Sequence, residues 1–166
     1  MGIIKKIIHF LSNIIYILIT LYVLICLPML FNYKPLVVLS GSMEPTLPIG
    51  SVIYYHPVEE KDLKVGDIVT FKLKDNKTLV SHRITSIDNG IIKTKGDANN
   101  SVDSLNLTYS SILGVDSNFY VPYVGYFIQY VNEHLYLVAI VVTILILEFL
   151  LSNIVSDKKG ELKDEK

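Results

Sequence analysis

A mainly β domain held between two transmembrane helices is the fold the sequence predicts, and three observations predict it. Apolar residues make up 51% of the 166-residue chain, yet they concentrate at its two ends, from Ile7 to Phe31 and from Leu135 to Leu151. Between Asn32 and Asn132 they stop running and alternate with polar residues in short pieces, which is the period of half-buried strands. Gly, Asn, Asp and Pro separate those pieces, and these residues suit turns.

The first element is a transmembrane helix over residues 7–31, behind a short N-terminus of residues 1–6. Its 25 residues carry no charge beyond what a protonated His9 would bring. About 20 apolar residues already cross the hydrocarbon core, and a helix satisfies its own backbone there. Lys5 and Lys6 also suit a cleavable signal peptide. The apolar stretch, however, exceeds the usual ~7–15 residues of such a segment and no A-x-A-like site follows it, so an uncleaved anchor is expected. His9, Ser12 and Asn13 are placed near the headgroups, and the single cysteine, Cys26, lies within the apolar run, which rules out an intrachain disulfide.

The central domain is placed at residues 32–132. Leu36-Val-Val-Leu39 reads as a strand leading into a Gly-containing turn. Further strands are expected at Ser51–Val58, Asp67–Leu73, Leu79–Ile87 and Gly90–Lys95, rich in the Val, Ile, Tyr and Thr that suit a pleated surface. Lys74-Asp-Asn-Lys77 joins the second and third of these, and Asp88-Asn-Gly90 the third and fourth, with Asn-Gly tolerating the positive φ of a tight hairpin. Val121–Tyr130 holds four Tyr or Phe rings, which either sit at a membrane boundary or complete the soluble core.

The second transmembrane helix is placed at residues 133–154. Glu148 interrupts its apolar run near one end, where a carboxylate reaches the interface more cheaply than at mid-membrane, or marks a contact with another helix. Residues 155–166 form a charged tail, in which Ser156–Lys166 is expected to be disordered. Lys5 and Lys6 precede the first span, and Lys158, Lys159, Lys163 and Lys166 follow the second. The positive-inside tendency then puts both termini in the cytosol and the central domain outside, making the chain a multi-pass protein of the cell membrane with an extracytoplasmic domain. A formal net charge of −1 offers no basic footprint for nucleic acid.

Chemistry is sought first in Ser40-Gly-Ser42, on the turn after the expected first strand. A serine hydroxyl is a poor nucleophile unless a base lies within hydrogen-bond reach and a third group orients that base. The domain and its border offer three histidines: His56 before Pro57, His134 where the second span opens, and His82 in mid-strand. With a period of two, His82 shares a face with Val80 and Ile84 and so points to an apolar side that can hold it still. Arg83 points to the opposite face, where a structural role is expected. The hairpin returns through Ile91–Asp103 beside that strand, bringing Asp97 and Asp103 forward as candidates for the orienting acid, although Gly-Asp and Asn-Asn pairs also make ordinary turns.

Taken together, S-G-S-M-E-P-T-L-P-I-G-S (40–51), G-D-I-V-T-F (66–71), S-H-R-I (81–84) and G-D-A-N-N-S-V-D (96–103) resemble the four boxes of the type I signal peptidases. The closer likeness is to the endoplasmic-reticulum-type branch, found in eukaryotes, archaea and some Gram-positive spore formers, because His stands where the common bacterial branch has Lys. The resemblance implies a serine endopeptidase that removes signal peptides from secreted preproteins and needs no metal or cofactor. Ser42 would be the nucleophile, His82 the general base and later acid, and Asp103 the orienting acid, with Asp97 structural or auxiliary. The Ser40 hydroxyl would join the Ser42 backbone N–H in an oxyanion hole. Its partners would be signal peptides, the lipid bilayer and, as in eukaryotic relatives, other subunits of the secretion machinery. The reading from a different class is a non-catalytic adaptor or assembly subunit, which would have no reason to keep Ser, His and Asp together. A protease dedicated to one precursor rather than to bulk secretion carries the same residues.

Overall fold

The computed structural model describes residues 2–73, 75 and 77–164. The chain divides into two compact units, Cys26–Gln129 and the pairing of Met1–Ile25 with Tyr130–Lys166.

Six strands make up the sheet of the first unit: β1 (Lys34–Val37), β2 (Val52–His56), β3 (Ile68–Lys72), β4 (Leu79–Asp88), β5 (Ile91–Lys95) and β6 (Ile112–Val121). Every neighbouring pair is antiparallel, in the order β1-β2-β6-β3-β4-β5. Four of the expected strands match β2 to β5 within two residues at each end, and the expected Leu36–Leu39 strand is β1, shifted two residues toward the N-terminus. The β4–β5 hairpin turns on Asn89 and Gly90, both at positive φ (48° and 78°), the geometry of a two-residue hairpin loop. Lys74-Asp-Asn-Lys77 lies between β3 and β4, with Lys74 and Asn76 outside the described residues.

The expectation missed β6, which inserts between β2 and β3 and so holds the sheet together. The buried positions of its first half are Gly114 and Asp116 rather than apolar residues, and its register against β2 shifts around Asn118, which takes φ 58°. A bulge of this kind hides a strand from a period-two search. Two hydrophobic clusters result. Leu63, Val69, Phe71, Ile84, Ile92 and Leu107 form one, and Met43, Leu47, Ile53 and Ile68 form the other, beside the loop after β1.

Flanking the sheet in sequence are α1 (Gly2–Cys26), α2 (Val124–Glu133) and α3 (Tyr136–Asp164). A 3-10 turn, Leu27–Phe31, continues α1, with Pro28 in its first turn where a missing N–H does no harm. Among the described residues His9–Phe31 is the one helical stretch long and apolar enough by itself to cross a membrane. Toward the C-terminus the test is met when α2 and Tyr136–Leu150 are taken as a bent pair. Where a single helix is expected over 133–154, the chain has the end of α2, a break at His134 and Leu135, and then α3. The His134 ring Nδ1 and backbone N–H both donate to the Tyr130 carbonyl, closing α2 before α3 begins. In the stretch where a disordered tail is expected, α3 runs on to Asp164, and Glu165 and Lys166 lie outside the described residues.

Tyr123, Tyr126, Phe127 and Tyr130 are each more than half exposed, which decides against their completing the soluble core. What packs in this segment is Gly125. Its N–H donates to the Gly50 carbonyl at 2.8 Å, and a Cβ there would lie 2.7 Å from the same oxygen. In the helical unit, Ser12 and Ile15 are the buried positions among the described side chains of α1, and His9 meets Glu148 of α3 through Nδ1 and Oε1 at 3.1 Å. Glu148 thus faces another helix of its own chain.

Candidate active site

Ser42 lies in the 3-10 turn Gly41–Met43 between β1 and β2. Two contacts hold it there. The next side chain, Met43, is 2% exposed and packs with Leu47, Ile53 and Ile68, so the serine rides on a buried anchor. Its own carbonyl accepts the Ala98 N–H at 2.9 Å, tying the turn to the loop after β5. The backbones come so close that a Cβ on Gly96 would sit 2.5 Å from the Ser42 oxygen, which demands glycine for space rather than for φ.

His82 is brought up by β4. Strand alternation sets it with Val80 and Ile84, and its ring meets Phe71 edge-on, with centroids 6.3 Å apart. The residue is 8% exposed. Nε2 lies 3.1 Å from Ser42 Oγ, and Nδ1 lies 2.6 Å from Asp103 Oδ2. A carboxylate can only accept, so Nδ1–H donates to Asp103 and the neutral ring leaves Nε2 to accept from the Ser42 hydroxyl. The result is one hydrogen-bonded chain from hydroxyl through imidazole to carboxylate. The other two domain-region histidines are elsewhere: His56 packs on the Tyr33 ring at 4.8 Å, and His134 caps α2.

The two candidate aspartates separate by their partners. Asp103 meets His82. Asp97 instead accepts Arg83 Nε at 2.9 Å, Arg83 Nη2 at 2.7 Å and the Thr46 hydroxyl at 2.6 Å. Arg83 also donates Nη1 to the Gly66 carbonyl at 2.8 Å. The Arg83 guanidinium holds the Asp97 carboxyl below the usual carboxylate range, with the Thr46 hydroxyl adding to this against burial, and Arg83 is raised in return. This fork of parallel N–H donors on a carboxylate braces β4 against the loops on either side. Ser40 Oγ stands 3.4 Å from Ser42 Oγ and is exposed.

Beside Ser42 opens a pocket lined by Leu36, Val38, Met43, Leu47, Ile53 and the Leu79–Ser81 stretch. Unpaired strand edges face it from two sides. β1 ends the sheet, and Leu79–His82 of β4 pair with β3 but not with β5, whose ladder begins at Arg83. Among the described residues no group of three or more His, Cys, Asp or Glu is arranged to hold a metal ion.

Sequence reasoning missed three members of the site: Thr94, whose hydroxyl donates to Asp103 Oδ2 at 2.7 Å, Thr46 on Asp97, and Gly96 at the close approach. A threonine inside a strand carries no signal in itself. The fit of Gly96 shows only in three dimensions.

Comparison with known proteins gives a consistent result. The family profile described as "Signal peptidase, peptidase S26" matches residues 11–105, more than half of the chain. The chain is 36% identical to signal peptidase I W of Bacillus subtilis, over 67% of this chain and 67% of that protein. It is 34% identical to the signal peptidase complex catalytic subunit SEC11 of Lodderomyces elongisporus, over 60% of this chain and 66% of the relative. Against the human signal peptidase complex catalytic subunit SEC11C the figures are 35%, 59% and 57%. The matches thus span two thirds or less of these two eukaryotic relatives' own lengths.

Proposed function

The chain belongs to the signal peptidase family, peptidase S26, and from that premise we propose that it cleaves signal peptides from secreted preproteins with Ser42 as nucleophile, His82 as general base and Asp103 as the acid that orients it. The observation that carries the assignment is the chain of contacts Ser42 Oγ to His82 Nε2 and His82 Nδ1 to Asp103 Oδ2, at 3.1 and 2.6 Å. As Ser42 Oγ attacks the scissile carbonyl, its proton passes to Nε2, and Asp103 stabilises the imidazolium. The imidazolium then gives that proton to the leaving amine, and the acyl-enzyme is hydrolysed when His82 takes a proton from water. The Ser42 backbone N–H, with the Ser40 hydroxyl beside it, would meet the developing oxyanion, a type of donor worth ~3–4 kcal/mol. Asp97 serves as the brace on Arg83 and Thr46 rather than as a partner of the imidazole.

The substrate enters as an extended strand along Leu36–Leu39, taking backbone hydrogen bonds from a free sheet edge and placing side chains in the apolar pocket. The N-terminal apolar helix anchors the protein in the membrane. We place a second span over residues 133–154, most of it α3, which makes the protein multi-pass, with residues 1–6 and 155–166 cytosolic and residues 32–132 outside. The His9–Glu148 contact supports this, because a carboxylate facing the first span from α3 puts the two helices side by side in one bilayer. Since two of the relatives are named as subunits of a signal peptidase complex, assembly with secretion-machinery partners belongs to the same proposal.

The test is preprotein processing by the full chain in detergent or vesicles. Ser42→Ala and His82→Ala should each lower cleavage by roughly 10³–10⁶-fold while membrane insertion is unchanged. Retained cleavage by either variant overturns the assignment.

A further inference from the structure

Thr94 lies on β5 opposite Ile84 and is fully buried. Its strand neighbour on the same face is Ile92, and both isoleucines belong to the larger hydrophobic cluster. Valine has the same shape and would suit that setting without a polar atom to satisfy, since a buried hydroxyl without a partner is costly. The Thr94 hydroxyl finds its partner in the Asp103 carboxylate, donating to Oδ2 at 2.7 Å. The Thr94 carbonyl also accepts the Asp103 backbone N–H at 2.8 Å. One residue therefore grips Asp103 by main chain and side chain. The oxygen it holds is the one that takes the His82 Nδ1 proton at 2.6 Å.

We infer that Thr94 is a positioning residue for the reaction, selecting the Asp103 rotamer that directs Oδ2 at His82 and, through it, the tautomer that leaves Nε2 facing Ser42. The inference rests on the assignment of Ser42, His82 and Asp103 made above. If Asp103 swings away from His82, the Thr94 hydroxyl is left buried and unpaired, so the threonine penalises the unproductive arrangement rather than touching substrate. A fully connected polar chain of this kind rigidifies its members, and Thr94 supplies its closed end.

The experiment compares Thr94→Val, Thr94→Ser and Thr94→Ala with the parent in full-length protein, with Ser42→Ala alongside, measuring preprotein cleavage and thermal unfolding together. Thr94→Val keeps the shape and loses the donor. It should lower kcat about ten- to hundredfold, the range expected for one hydrogen bond to a charged group, with KM unchanged, while Thr94→Ser keeps most of the activity. The downfield proton resonance of His82 Nδ1–H should persist in Thr94→Ser and be lost or displaced in Thr94→Val. Should Thr94→Val fail to fold, Thr94→Ser against Thr94→Ala decides, because both lack the methyl and differ in the hydroxyl alone. Equal activity of the donor-bearing and donor-lacking variants overturns the role of Thr94 while Ser42→Ala remains inactive. An active Ser42→Ala overturns the underlying assignment instead.

Discussion

Among the described residues two histidines contact a carboxylate, one in each compact unit. In the sheet, His82 meets Asp103 at 2.6 Å; in the helices, His9 meets Glu148 at 3.1 Å. The groups are alike and their surroundings are not. The other nitrogen of His82 faces the Ser42 hydroxyl, and the Asp103 oxygen has a second donor in Thr94, so both ends are occupied. Around His9, the second oxygen of Glu148 and the Ser12 hydroxyl are buried without a hydrogen-bond partner among the described residues. His9 itself is half exposed. A continuous relay moves a proton when a nucleophile sits at its end, whereas an isolated pair across two helices is a fastening.

The comparison breaks most readily at its catalytic side. Asp103→Asn should lower preprotein cleavage by roughly 10²–10⁴-fold, because an amide no longer enforces the tautomer. Asp97→Asn should cost less, since it loosens the Arg83 brace and leaves His82 and Asp103 paired. A larger loss at Asp97 in the same kinetic assay would transfer the orienting role. Gly96→Ala comes next: with 2.5 Å between the new Cβ and the Ser42 carbonyl, the Ser42 turn must shift. Cleavage should fall about tenfold or more, since a displacement near 1 Å can cost ~10²-fold, while circular dichroism shows the sheet intact.

A stability measurement sharpens the contrast between paired and unpaired acids. Asp116 on β6 is buried, and burial pushes its carboxyl up to about 6 from 3.8, against the lowering effect of the Asn118 N–H. The folded state therefore favours the protonated form. Its contribution is complete below about pH 4 and is lost as pH rises through 6. Asp116→Asn should match the parent near pH 4 and exceed it at pH 8, by on the order of 2 kcal/mol in denaturant unfolding. The smallest effect is expected in the helices. Glu148→Gln should leave kcat unchanged and alter helix association by only ~0.6 kcal/mol, the average for a polar contact between membrane helices. A hundredfold drop in kcat with that variant would erase the distinction between the two pairs.

Much of this was legible in the sequence because the residues concerned sit in simple patterns. The unbroken apolar run to Phe31, the alternation through Leu79–Ile87 and the Asn89-Gly90 turn each report one local preference. The positions of Ser42 and His82 were legible as an ordered set of boxes, and strand alternation gave His82 its apolar side. What escaped depends on contacts between distant segments. β6 was hidden by a bulge around Asn118, α2 by the rings of Tyr123, Tyr126, Phe127 and Tyr130, which overlay the helical spacing of Val124, Phe127, Ile128 and Val131, and Thr94 by being an ordinary strand threonine until Asp103 folds over it. The resemblance already implied Asp103 over Asp97 as the neighbour of His82, and the Arg83 side chain, whose fork occupies Asp97, supplies the physical reason.

Strand order carries a last consequence. The segment bearing Ser42 lies between β1 and β2, His82 and Asp103 come with β3 to β5, and the ladder between those two halves is completed by β6, the final strand of the chain. Pairings so far apart in sequence form late and slowly. During synthesis the hydroxyl and the imidazole therefore emerge well before the wedge that locks their supports together. A nascent copy is mechanically unfinished until Ile112–Val121 has left the ribosome.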